Sequence, residues 1–196
     1  MLVVAGNVDP TEVTGFVEDL CGGWKPALHK TARLPPKMHG GVNVLQVDRF
    51  KQQILAMTFP SVGACDPLDE TAGAAATILG GDNSRFFWNI MQKGLSPRAG
   101  AYHLAYSDCG ALMLYGACQP ENCEKLLEAV RKEANVICTE RVKPHEVERV
   151  KNRRRTSLAI ESEAPYHRLT QLMDNMEHRG RPRTVDEMLA EVDAIT

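Results

Sequence analysis

The chain has 196 residues, enough for one substantial domain whose core needs no metal or disulfide to hold it. Its 23 Lys and Arg stand against 25 Asp and Glu, a net charge of −2. That balance excludes a global field for nucleic acid or an acidic membrane and leaves only local patches to consider. The six cysteines form no C-x-x-C pair and read as buried, reduced thiols, and the apolar opening "MLVVAG" is too short for a signal segment or a membrane span. Free thiols without a basic leader favour a cytoplasmic location.

In chain order, "MLVVAGN" reads as a strand and "DPTEVTGFVEDLCGG" as a helix. Asp9 is placed to cap it, Pro10 suits its first position, and Val13, Phe16, Val17 and Leu20 form an apolar stripe that ends at Gly22-Gly23. Residues 24–41 carry three prolines and no period, as an extended surface connection would. "VNVLQVDRFKQQILAMTFP" predicts one or two strands ending at Pro60.

"DPLDETAGAAATILGG" predicts a helix of small residues able to pack closely on a sheet or another helix. "DNSRFFWNIMQKG" restarts a helix from an Asp, Asn or Ser cap with Phe86, Phe87, Ile90 and Met91 inward. Two strands follow, in "PRAGAYHLAYSD" and "GALMLYGACQ", joined at a tight turn over Asp108-Cys109-Gly110. From Pro120 the pattern is helical, at about 121–135, 144–163, 165–179 and 184–194. Neighbouring strands without crossover helices predict an α+β fold: two layers, with a largely antiparallel sheet covered by helices on one face.

The stretch "HEVER" (His145 to Arg149) is one residue short of the inverted zinc signature H-x-x-E-H. A guanidinium stays protonated and offers no lone pair, so Arg149 cannot replace the second histidine. The stretch is expected as a helix start instead, with Pro144 in its first turn and Glu146 and Glu148 beside the positive end of the helix dipole. "KNRRR" continues that helix. It has no interleaved aromatics and has Glu161 and Glu163 close by, which favours a solvated or domain-contacting face over a nucleic-acid site. "LGGDNSR" lacks the Lys-Ser/Thr of a P-loop and reads as a plain helix–turn–helix connection. The isolated His29, His39, His103, His167 and His178 are expected as surface or satisfied core residues.

Five pieces in order, "MLVVAGNVDPTEV", "QQILAMTFPS", "ILGGDNSRFFWNIMQKGLS", "YSDCGALMLYGACQPENCEKLLEAV" and "VKPHEVERVKN", resemble the second half-domain of the insulinase/pitrilysin/mitochondrial processing peptidase family of zinc metallopeptidases. The resemblance implies that residues 1–196 are one half-domain of a longer peptidase-like chain. It implies further that two such halves close like a clamshell on a peptide. Zinc and the H-x-x-E-H motif are then expected in a homologous catalytic half, supplied by the same protein or a second subunit, with no cofactor and no catalytic residue here.

Family members that cleave peptides carry an Arg and a Tyr in R-E-x-x-G-L-x-Y that contact substrate. Aligned on Gly94-Leu95, those positions are Met91 and Pro97, and Arg98 is a possible substitute in charge. "KPHEVERVK" falls on the family's helix start of the form T-x-E-E-L-x-x-A-K, which Glu146 and Lys151 match. The alternative implied by the replaced positions is a structural or assembly subunit of the same fold without proteolytic activity.

Overall fold

A computed structural model describes residues 1–25, 34 and 36–196. Most of the segment 26–35, including His29, lies outside the described residues; the described part of 24–41 is exposed and without regular structure. The elements run α1 (Pro10–Cys21), β1 (Gln53–Ser61), α2 (Asp69–Gly80), a π-helical turn (Phe87–Met91), β2 (Arg98–Ala105), β3 (Gly110–Cys118), α3 (Cys123–Thr139), α4 (Pro144–Glu163), α5 (Pro165–Arg179) and α6 (Val185–Asp193).

The described strands form one antiparallel sheet in the order β1-β3-β2. Side chains alternate across its faces. Leu55, Met57, Leu114 and Ala101 point to the helix side, where Leu79, Phe86, Ile90, Leu126 and Val130 close the main core. The second core lies between α2, α4 and α6 and is built on Ile78, Val150, Leu158, Met188 and Val192. Helix α2 separates the two cores, with Ala76 and Leu79 in one and Ala74 and Ile78 in the other. Its small residues allow this, and at its end a Cβ on Gly80 would stand 1.9 Å from the backbone N of Ala101. The fold is therefore α+β with a sheet covered on one face.

Several expectations are corrected. The opening "MLVVAGN" is no strand: residues 1–9 lie outside the sheet, because an apolar run becomes a strand only where an edge pairs with it. The helix after it forms as read, with Asp9 Oδ1 accepting from the Thr11 and Glu12 amides, yet it buries no residue, and Phe16 is 67% exposed. Only one strand arises from 42–60, and it runs through Pro60 to Ser61. Proline is tolerated there because β1 is an edge strand.

Ser84 caps the short helix that follows α2, its Oγ accepting from the Phe87 amide. The turn between β2 and β3 is a four-residue loop at 106–109, with Gly110 already in β3. The cysteines are free, but only Cys118 is buried, and Cys65 and Cys138 are exposed.

Candidate functional site

Helix α4 begins at Pro144, and its first turn is closed by Glu146, whose Oε2 accepts from the Lys143 amide at 2.9 Å. The same carboxylate takes Arg85 side-on: Nε donates to Oε1 at 2.9 Å and a terminal nitrogen to Oε2 at 2.8 Å. Both side chains are nearly out of solvent, at 11% and 8% exposure. The Arg85 hydrogen bonds hold the Glu146 carboxyl down from its ordinary 4.5 to about 2. Thus "LGGDNSR" and "HEVER", each read alone as a near-site, are two ends of one structural ion pair. His145 and Arg149 lie exposed on the same helix start. Among the described residues, no three His, Cys, Asp or Glu side chains converge where a metal could sit.

The basic run on α4 is consumed in the same way. Lys151 is buried, and its Nζ donates to the carbonyls of Asp193 and Ile195 at 2.8 and 3.0 Å, closing the end of α6. Arg153 pairs with Asp82, Arg154 with Glu70 and Glu161, and Arg155 with Asp193. No row of free cations is left for a phosphate backbone.

A groove of about 480 Å³ between α2, β2 and α4 is lined by Asp69, Glu70, Thr77, His103, Arg153 and Arg154. His103 Nε2 donates to the Val62 carbonyl at 3.1 Å, since a carbonyl can only accept, and Nδ1 faces Asp69 at 3.5 Å. Burial raises the Asp69 carboxyl, and His103 offsets part of that rise. The groove's two carboxylates thus already have partners, Asp69 in His103 and Glu70 in Arg154.

Among the described residues, no helix packs on the other face of the sheet. Ile54, Thr58 and Pro60 of β1 are exposed on it, as are Tyr102 and Leu104 of β2. Tyr115 and Tyr102 stack on this face with centroids 5.1 Å apart and rings 5° from parallel, and Tyr102 donates to the Tyr115 hydroxyl at 3.1 Å. Of the positions singled out by sequence, Met91 turns inward against the main core, Pro97 is exposed at the head of β2, and Arg98 begins β2 on the uncovered face.

The sequence model for the peptidase M16 inactive domain matches residues 1–154. The chain belongs to that family. An "uncharacterized zinc protease" of Rickettsia bellii is 27% identical over 191 residues, which is 96% of this chain and 46% of that protein. The chain thus spans about half the length of the curated relatives it matches.

Among solved structures, a protease from Helicobacter pylori superposes with a TM-score of 0.78 at 14% identity, over 98% of this chain and 48% of that one. A chain of complex III2 from Candida albicans does so with a TM-score of 0.78 at 20% identity, over 97% and 48%. These likenesses show a common fold. This M16 inactive domain is accordingly a half-domain of zinc-protease-like proteins.

Sequence reasoning missed the tyrosine pair of this M16 domain. The signal existed, because the hairpin fixes which residues face each other and puts Tyr115 opposite Gly100 and beside Tyr102 on one face.

Proposed function

We propose that this chain is the inactive half of a zinc-dependent metalloendopeptidase and encloses peptide together with a separate zinc-bearing half. The observation that carries the reading is the match along 96% of this chain to less than half of a zinc protease. A fold with one face packed by helices and the other left open also suits one wall of a chamber. On this reading zinc sits in the partner half, residues 1–196 are a half-domain of a longer assembly, and the present chain supplies surface rather than chemistry. Counted back from Gly94, the family's Arg position falls on buried Ile90 rather than on its neighbour Met91; Pro97 stands at the Tyr position, and Arg98 provides the positive charge that the replaced Arg position lacks.

The test starts from the isolated chain, for which metal analysis is expected to find no stoichiometric zinc and peptide assays no hydrolysis. Co-expression with the H-x-x-E-H half encoded upstream or in a neighbouring gene is expected to give a stable complex. One equivalent of tightly held zinc that vanishes in His145→Ala would overturn this assignment.

A second reading, a structural or assembly subunit of the same fold, is favoured by the replacement of both substrate-contacting positions. A gene neighbourhood without any H-x-x-E-H half would select it.

A further inference from the structure

The uncovered sheet face has a single charge. By strand register, Arg98 is the only ionisable group besides the two phenols that β1, β2 and β3 present to that side. It forms no ion pair among the described residues, whereas every arginine of the α4 cluster does.

Gly100 follows two positions later on the same face. A Cβ there would stand 2.5 Å from Tyr115 Cε1 and 2.7 Å from the Tyr115 hydroxyl. The missing side chain therefore lets the Tyr115 ring lie across β2, with its hydroxyl over Gly100 between Arg98 and Tyr102. The two phenols hold two protons and spend one between them, so one O–H remains to donate outward. The hydrogen-bonded contact with Tyr102 and partial burial both push the Tyr115 phenol up, so it stays protonated. An arginine and a phenol, both donors, are thus neighbours on an otherwise uncharged wall.

We propose that Arg98, Tyr115 and Tyr102 bind the side-chain carboxylate of an Asp or Glu within an extended, otherwise apolar peptide. A carboxylate matches one cation and its neighbouring donors, whereas a phosphate dianion would call for more than one. The ligand is a peptide segment because apolar surface continues from the cluster along β2 to Leu104 and across the sheet to Met113 and Ile54. A chain lying on that surface passes the cluster instead of ending in it, which selects a side chain over a C-terminal carboxylate. The inference takes its ligand class from the peptide-enclosing reading above.

The test uses fluorescence anisotropy on the chain with three labelled, unstructured apolar peptides. One has a single central Glu and an amidated C terminus, one has Gln in its place, and one has Gln with a free C terminus. The Glu peptide is expected to bind about tenfold tighter than its Gln counterpart. Arg98→Gln is expected to abolish that preference and leave Gln-peptide binding unchanged, with circular dichroism confirming an intact fold. Tyr115→Phe is expected to reduce the preference.

Equal binding of the Glu and Gln peptides, a preference that survives Arg98→Gln, or no binding of any peptide overturns the site. A preference that follows the free C terminus overturns the side-chain assignment. An Arg98-dependent preference without proteolysis in the reconstituted pair would keep the site and remove the peptidase reading. Proteolysis without the preference would do the reverse.

Discussion

Arg85 and Glu146 lie 61 residues apart, and the bond between them fixes the start of α4 to the turn after α2. Removing one partner leaves the other charge buried and unpaired, which costs about 3 kcal/mol. Arg85→Ala is therefore expected to lower the urea midpoint markedly, while His145→Ala, at an exposed position of the same helix turn, leaves it unchanged.

The acid limb of stability carries the same signature. Glu146 has a folded pKa of about 2 against an ordinary 4.5, so its contribution is fully present above about pH 4.5 and is lost as pH falls through about 2. That window is worth about 3 kcal/mol. In Arg85→Ala the acid unfolding transition is expected to lose this component and become flatter between those pH values. A transition identical to wild type would contradict the role given to the pair. At this scale the sequence was legible in chemistry but not in pairing: Arg149 ruled out zinc because a guanidinium offers no lone pair, while nothing in "HEVER" announced that Glu146 would meet Arg85.

Among the elements, α2 has the tightest constraint, wedged between sheet and helices by small side chains. Gly80→Ala places a Cβ against the Ala101 backbone, and the overpacking is expected to cost about 2 kcal/mol, measured by chemical denaturation. Gly73→Ala, where an added Cβ meets nothing within 4 Å, is expected to be neutral or stabilising.

Helices α4 and α5 were read from sequence at their observed limits because Pro144, Pro165 and Gly180 punctuate them locally; Gly180 takes the left-handed conformation that ends α5. The apolar run at 1–7 was misread as a strand because strand formation depends on a partner edge, which is not a local property; the same dependence left 42–60 with the single strand β1. Pro60 was misread as a stop for a related reason: only the sheet order reveals that β1 is an edge. The Tyr102–Tyr115 pair needed both the parity of the strands and the hairpin register, and it emerged only once both were fixed.

The whole molecule has a helix-packed side that holds it together and a bare sheet side that does not. Its charges follow the same division. Lys151, Arg153, Arg154 and Arg155 of α4 are tied into ion pairs and a helix cap on the packed side, whereas Arg98 on the bare one forms no ion pair among the described residues. Among the described residues no helix is long and apolar enough to cross a membrane. Membership of the M16 inactive domain family and coverage of about half of a zinc protease are what support the proposal of a separate zinc-bearing half.

The most direct measurement is the rate of peptide hydrolysis by the zinc-bearing half with and without this chain, at matched zinc content. The expected result is negligible cleavage by either half alone and zinc-dependent cleavage by the pair. Equal rates for the zinc-bearing half with and without the chain, or zinc-dependent cleavage by this chain alone, would contradict the account.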